Sequence, residues 1–242
     1  MKKLFTAIRQ GDRETVCELL DKKPELVACT VKAPPKKDAG QSPLQVAIKS
    51  SRFAIAHLLL DRGAEVNFME AEDCGSDWRM PVVQDAVMAA VMSSRWNTVW
   101  NGTVQVNGTQ ETADEAFALL ERMVSLGADL TCRDSFGNTA LDRALLDARR
   151  ILPQFHSGER RYLENRVLTP ELDADLMRIF RLIVTAAPEM TGSMTLVRPE
   201  ETLLMQYLTR NGVPAGRRGR LTNEGVFPQY PHGRGAGVAA DQ

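Results

Sequence analysis

The sequence predicts an all-α protein, a solenoid of stacked helix-turn-helix repeats carrying one small inserted β-hairpin. Three observations lead there. A two-helix unit with its own start and stop signals runs from Gly40 to Asn67. Pieces of that unit recur in the same order before and after it. A Trp- and Val-rich stretch centred on Asn101-Gly102 interrupts one of the copies. A two-helix unit of this length has an apolar face that it cannot bury alone, so it needs copies of itself on either side.

The first unit, Leu4 to Val27, aligns with the clearest one at a constant offset of forty residues, placing Leu4 on Leu44, Ala7 on Ala47 and Leu20 on Leu60. The second opens with a turn at Gly40-Gln41-Ser42-Pro43, runs into Leu44, Val46, Ala47 and Ile48, breaks at Lys49-Ser50-Ser51 and resumes from Phe53 to Leu60. Leu44, Ala47 and Ile48 share one helical stripe, and Ile55, Leu58 and Leu59 share another. Ala7, Ala47, Ala86 and Ala144 fall at equivalent places, where close helix approach leaves room for little more. Gly63, Gly127 and Gly212 follow their helices where a left-handed residue caps the last turn.

The third unit is interrupted between its helices. Val82 to Met92 reads as the first, and Thr112 to Leu126 as the second, with Thr112 and Glu115 at capping-box spacing. Between them, Trp96 to Trp100 and Thr103 to Val106 flank Asn101-Gly102, the signal for a type I′ hairpin. Counting outward from the turn pairs Trp100 with Thr103, Val99 with Val104 and Asn97 with Val106. One face then carries Trp96, Thr98 and Trp100, the other Val99, Val104 and Val106.

The fourth unit is interrupted at the same place. Its first helix runs through Asp142 to about Leu152, where Pro153 ends it, and its second starts at Thr169-Pro170-Glu171, an N-cap followed by proline. Insertions at the same turn of adjacent repeats should emerge as neighbours on one rim. Thr202 to Gly212 reads as the last helix of a degenerate fifth unit. From Val213 onward no apolar period survives, and a flexible tail is expected.

Ser42-Pro43-Leu44-Gln45-Val46-Ala47 resembles the turn and first helix of the ankyrin repeat, whose signature is Thr-Pro-Leu-His-x-Ala. The resemblance covers about residues 1 to 212, divided as 1–38, 39–73, 74–133, 134–190 and a cap at 191–212, with 213–242 as the tail. This sequence lacks the signature His and stretches the usual period of about 33 residues. The resemblance implies protein binding through the loop tips between repeats and the concave face of the first helices.

Composition is that of an ordinary soluble chain, 43% hydrophobic and 25% charged over 242 residues. Thirty basic and thirty-one acidic residues give a formal charge of −1, so no global field draws the chain to nucleic acid. The apolar run of the N-terminus stops at Ile8, short of a signal-peptide core, and no run of about 18 apolar residues occurs. Cys17, Cys29, Cys74 and Cys132 are scattered, which reads as reduced thiols and a cytoplasmic protein. His57, His156 and His232 share no ligand spacing with them, so no metal and no cofactor is expected. Gly40-Gln41-Ser42-Pro43-Leu44 lacks the closing glycine of a nucleophile elbow, and Gly233-Arg234-Gly235-Ala236-Gly237 has no strand before it. No enzyme constellation emerges.

Binding surfaces are better supplied. The first tip is basic, with Lys36 and Lys37; the second is acidic and aromatic, with Glu70, Glu72, Asp73, Asp77 and Trp78. The hairpin offers Trp96 and Trp100, and the second insertion Phe155, Arg160, Arg161 and Tyr162. Either the tryptophans or the valines of the hairpin face the helices. If the valines do, both tryptophans stand exposed beside Phe155 and Tyr162 as an aromatic patch of the kind enriched at interfaces. Arg149, Arg150, Arg160, Arg161 and Arg166 add a positive field, with Glu159 and Glu164 available to pair with it. The leading reading is a non-catalytic protein-interaction module of the inhibitor or immunity type, with the monomer favoured. The second is a binder of nucleic acid or phosphate ligands that uses this arginine rim together with Arg217, Arg218, Arg220 and Arg234.

Overall fold

Lys2–Gln10 (α1) and Arg13–Lys22 (α2) make the first helical pair, turned by Gly11 in the left-handed region and by Asp12, whose carboxylate accepts the Thr15 N–H. The second pair is Pro43–Lys49 (α3) and Phe53–Asp61 (α4). Here Ser42 and Gln45 form a reciprocal capping box, and Pro43 sits at the first helical position where its missing N–H costs nothing. Val82–Met92 (α5) and Gln110–Ser125 (α6) are the third pair, Ala140–Ile151 (α7) and Pro170–Ala186 (α8) the fourth, and Thr202–Thr209 (α9) follows. The computed structural model describes residues 1–31, 39–192, 197–198 and 200–213.

The first helices touch in series, α1 on α3, α3 on α5 and α5 on α7, and the second helices do the same from α2 to α8. Each pair therefore covers the apolar stripe of the next. Leu44, Ala47, Ile48, Ile55 and Leu59 are all buried, as are Ala7, Ala86 and Ala144. Each fully buried Leu or Ile contributes roughly 1.5–3 kcal/mol of transfer free energy. The α9 helix packs on both α7 and α8, with Tyr207 stacked on Phe180 at 5.3 Å.

Polar seams register the pairs. At the third helical position of α3, Gln45 sends its amide N–H groups to Met80 O at 3.2 Å and Asp85 Oδ2 at 3.1 Å. At the same position of α5, Gln84 donates to Cys132 O at 3.0 Å and Asn138 O at 2.8 Å. Both amides are buried, so each satisfied contact fixes how one pair sits on the next.

Two glycines separate backbone freedom from close approach. Gly63 has φ 83 and open space where a Cβ would stand; Gly40 has φ 81, and its Cβ would lie 2.4 Å from the Cβ of Cys74. Gly63→Ala should cost about 1–2 kcal/mol for the left-handed backbone alone, and Gly40→Ala distinctly more. Urea denaturation of both variants checks the order.

Local expectations meet two corrections. The second helix of the third pair starts at Gln110 rather than Thr112, because the Thr109 hydroxyl accepts the Thr112 N–H and makes Thr109 the cap. The second insertion adds a strand pair to the one hairpin expected: Phe155–His156 (β3) pairs antiparallel with Arg161–Tyr162 (β4).

Candidate partner-binding surface

The hairpin forms as its turn dictates. Trp96–Trp100 (β1) pairs with Thr103–Asn107 (β2) in the register Trp100 to Thr103, Val99 to Val104 and Asn97 to Val106. Asn101 and Gly102 both have positive φ, at 49 and 74, as a type I′ turn requires.

Neither face packs as a block. Trp96 lies half-buried against the core, its indole N–H donating to Met92 O at 3.2 Å and the Arg166 guanidinium 5.7 Å over its ring. Trp100, four residues on, is 79% exposed. On the other face Asn97 is fully buried, whereas Val104 and Val106 are 46% and 56% exposed. The hairpin thus leans on its base and leaves its tip in solvent, which overturns the expectation that one whole face would be covered.

Three braces hold it there. Asn97 donates through Nδ2 to Val167 O at 2.7 Å and accepts the Val167 N–H at 2.8 Å. The Val99 N–H donates to Asn165 O at 2.9 Å. Arg95 donates through its backbone N–H and Nε to Asp175 Oδ2, and through Nη2 to Oδ1, at 2.9 to 3.0 Å. The two insertions are therefore neighbours, as their shared place in adjacent repeats predicts. Between them lies an open cleft of about 780 Å³ lined by Val99, Arg161, Leu163, Glu164 and Asn165.

The second insertion is tied to α9. Phe155 meets Tyr162 edge-on at 5.2 Å, and the Tyr162 hydroxyl lies 3.0 Å from Thr202 Oγ1 and accepts the Leu203 N–H at 3.2 Å. These aromatics are half-buried, so they support the rim more than they extend it. The positive field is mostly spent internally. Arg149 pairs with Glu201 at 2.5 Å, Arg150 with Asp147 at 3.2 Å and Arg161 with Glu159 at 2.6 Å. Burial pulls the guanidinium of Arg166, stacked on Trp96, below its ordinary pKa. Arg160, exposed and at positive φ before β4, has no ion-pair partner among the described residues.

The acidic tip also divides. Glu72, Asp73 and Asp77 are exposed, but Glu70 is buried, its Oε2 accepting the Met80 N–H at 3.0 Å. Trp78 is half-buried, with the Arg143 guanidinium 5.9 Å from its ring. His57 is bound by Arg122, which donates to its carbonyl and lies 3.2 Å from Nδ1; burial and that cation lower its pKa. Lys36, Lys37, His232 and the tail arginines lie outside the described residues. Among the described residues no group of His, Cys, Asp and Glu is placed to hold a metal ion, and no helix is long and apolar enough to cross a membrane. Sequence reading missed Asn97, Arg95 and Asp175, although a polar Asn97 on the valine side of a hairpin was a usable signal.

Residues 39–68, which hold the reciprocal cap of Ser42 and Gln45, match the family model of the ankyrin repeat. Over that stretch the chain is similar to an ankyrin repeat. A crystallised ankyrin repeat domain from Acinetobacter baumannii AYE is similar at 16% identity, over 87% of this chain and 91% of that one, with a TM-score of 0.35. No curated protein matches. Within the ankyrin repeat, Gln45 stands where the signature has His, and it joins the cap of α3 to Met80 and Asp85 of the next unit. Ankyrin repeats generally mediate protein–protein interaction.

Proposed function

We propose that this chain is a non-catalytic protein-interaction module, an ankyrin-like solenoid over residues 1–212 that grips a protein partner with the rim built by its two insertions. The observation that carries the reading is Trp100, 79% exposed at the tip of a hairpin that is braced at Asn97, Val99 and Arg95. An exposed tryptophan on a rigid mount loses little conformational entropy on binding, which is the setting in which aromatic anchors dominate interface energetics. Trp78, Trp96, Phe155, Arg160, Arg161 and Tyr162 are proposed as the surrounding surface, with Lys36 and Lys37 as a separate tip. Such a module acts by occupying its partner, in the manner of an inhibitor or immunity-type protein. The internal pairing of Arg149, Arg150 and Arg161 gives no comparable support to a phosphate or nucleic-acid ligand.

The test is quantitative co-purification from native lysate with the full chain, Trp100→Ala and a chain lacking residues 96–110. Trp100→Ala is expected to weaken capture of the specific partner by about thirtyfold or more, the size of a hot-spot loss of about 2 kcal/mol. Recovery of every partner at equal yield by all three chains would refute the reading.

A further inference from the structure

The hairpin has one edge in use and one open. Its two-residue turn makes Trp100 and Thr103 a hydrogen-bonded pair, and Thr98 with Gln105 the next. The backbone groups of Val99 and Asn97 on β1, and of Val104 and Val106 on β2, therefore point away from the hairpin. On β1 that outward row is engaged, since the Val99 N–H reaches Asn165 O. On β2 no strand pairs with it among the described residues. The devices that blunt an edge are missing too: Thr103-Val104-Gln105-Val106-Asn107 has no charge and no proline, and its register is unbroken.

We propose that β2 is a self-pairing edge, through which two copies of this chain join antiparallel into a four-stranded sheet. The strand's own pattern selects a second copy. It is symmetric about Gln105, polar-Val-polar-Val-polar, so a two-fold axis at that residue sets Val104 against Val106 of the second copy and Val106 against its Val104. Those are the residues whose N–H and C=O point outward, so each opposed pair exchanges two hydrogen bonds. The four exposed valines meet on one face of the new sheet. With no charged residue in the strand, no like charges are brought together across the axis. The seam is short, well under the roughly 1,200 Å² of a standard stable interface, so the dimer is weak and concentration-dependent. This inference stands apart from the partner reading, because Trp100→Ala should leave self-association unchanged.

Sedimentation velocity of the full chain over about a hundredfold range of concentration, which spans about 2.7 kcal/mol of association free energy, tests it. The weight-average mass should rise from 26.8 kDa toward twice that value. Gln105→Lys and Gln105→Glu each set like charges opposite one another at the axis and should stay at 26.8 kDa. Mixed in equal amounts, they should recover the association, which only a Gln105-to-Gln105 contact explains. Val106→Pro, which removes an outward donor without touching the β1–β2 ladder, should also remain monomeric. A wild-type mass constant at every concentration overturns the proposal and leaves the edge to a strand of a different protein. So does association that neither charge variant weakens.

Discussion

Arg143→Ala is expected to lower the unfolding free energy by about 3–5 kcal/mol, the cost of stranding a buried charge. Arg143 and Asp147 lie one turn apart on α7 with side chains 2% and 0% exposed, joined Nε to Oδ2 at 2.8 Å and Nη2 to Oδ1 at 3.2 Å. Burial already raises the Asp147 pKa against the pull of Arg143 and Arg150. With Arg143 gone, Asp147 would keep only Arg150, a side chain that is itself half in solvent. The double replacement Arg143→Met with Asp147→Leu removes both desolvation penalties and should fall within about 1–2 kcal/mol of the wild type. Urea denaturation of the wild type, Arg143→Met, Asp147→Leu and the double variant closes the cycle, with Arg143→Ala measured beside them. A cost below about 1 kcal/mol for Arg143→Ala, in the range of an exposed pair, would refute the assignment of this pair as a buried one.

Features legible in the sequence are those settled within a few residues of chain. Ser42, Pro43 and Gln45 fix the start of α3 through a reciprocal cap that closes inside four positions. Thr169-Pro170 starts α8 through a one-way cap in which the Thr169 hydroxyl accepts the Leu172 N–H, and Asn101-Gly102 sets the hairpin register because both residues tolerate positive φ. The stripes of Leu44, Ala47 and Ile48 are legible because a helix repeats its faces every turn.

What the hairpin does with its faces is decided by residues far along the chain. Asn97 is buried because Val167 answers both ends of its amide, and Arg95 is held by Asp175, 80 residues on. No local pattern carries that information. The arginines read as a positive rim for the same reason: the partner of Arg149 is Glu201, 52 residues away. Glu70 looked like part of a solvated tip until Met80 and Lys49 turned it inward. The strands β3 and β4 are two residues each, too short for alternation to register.

Asp85→Asn should stabilise the protein at pH 8 and do so far less at pH 5. Asp85 lies on α5, fully buried, where Gln45 donates to Oδ2 at 3.1 Å and Lys49 approaches Oδ1 at 3.4 Å. Desolvation dominates, Glu70 adds repulsion, and Lys49 only partly offsets them, so the carboxyl pKa is raised to about 7. A carboxyl whose folded pKa lies above its unfolded one is held protonated by the fold. Its contribution is therefore fully present below the ordinary carboxylate pKa of about 4 and is lost as pH rises through 7. Each pH unit in that window removes about 1.4 kcal/mol, so between pH 5 and 8 the wild type should lose on the order of 2–3 kcal/mol through this group alone. Asparagine keeps the acceptor that Gln45 needs and cannot ionise, while Glu70 still faces Lys49 at 3.9 Å. Because Asp12, Asp61, Asp114 and Asp129 have lowered pKa values and shift stability at more acidic pH, the informative quantity is the difference between variant and wild type. That difference, from urea denaturation at each pH, should grow in favour of Asp85→Asn as pH rises from 5 to 8. A difference that stays flat across the window would show that Asp85 is already ionised in the folded protein at pH 5.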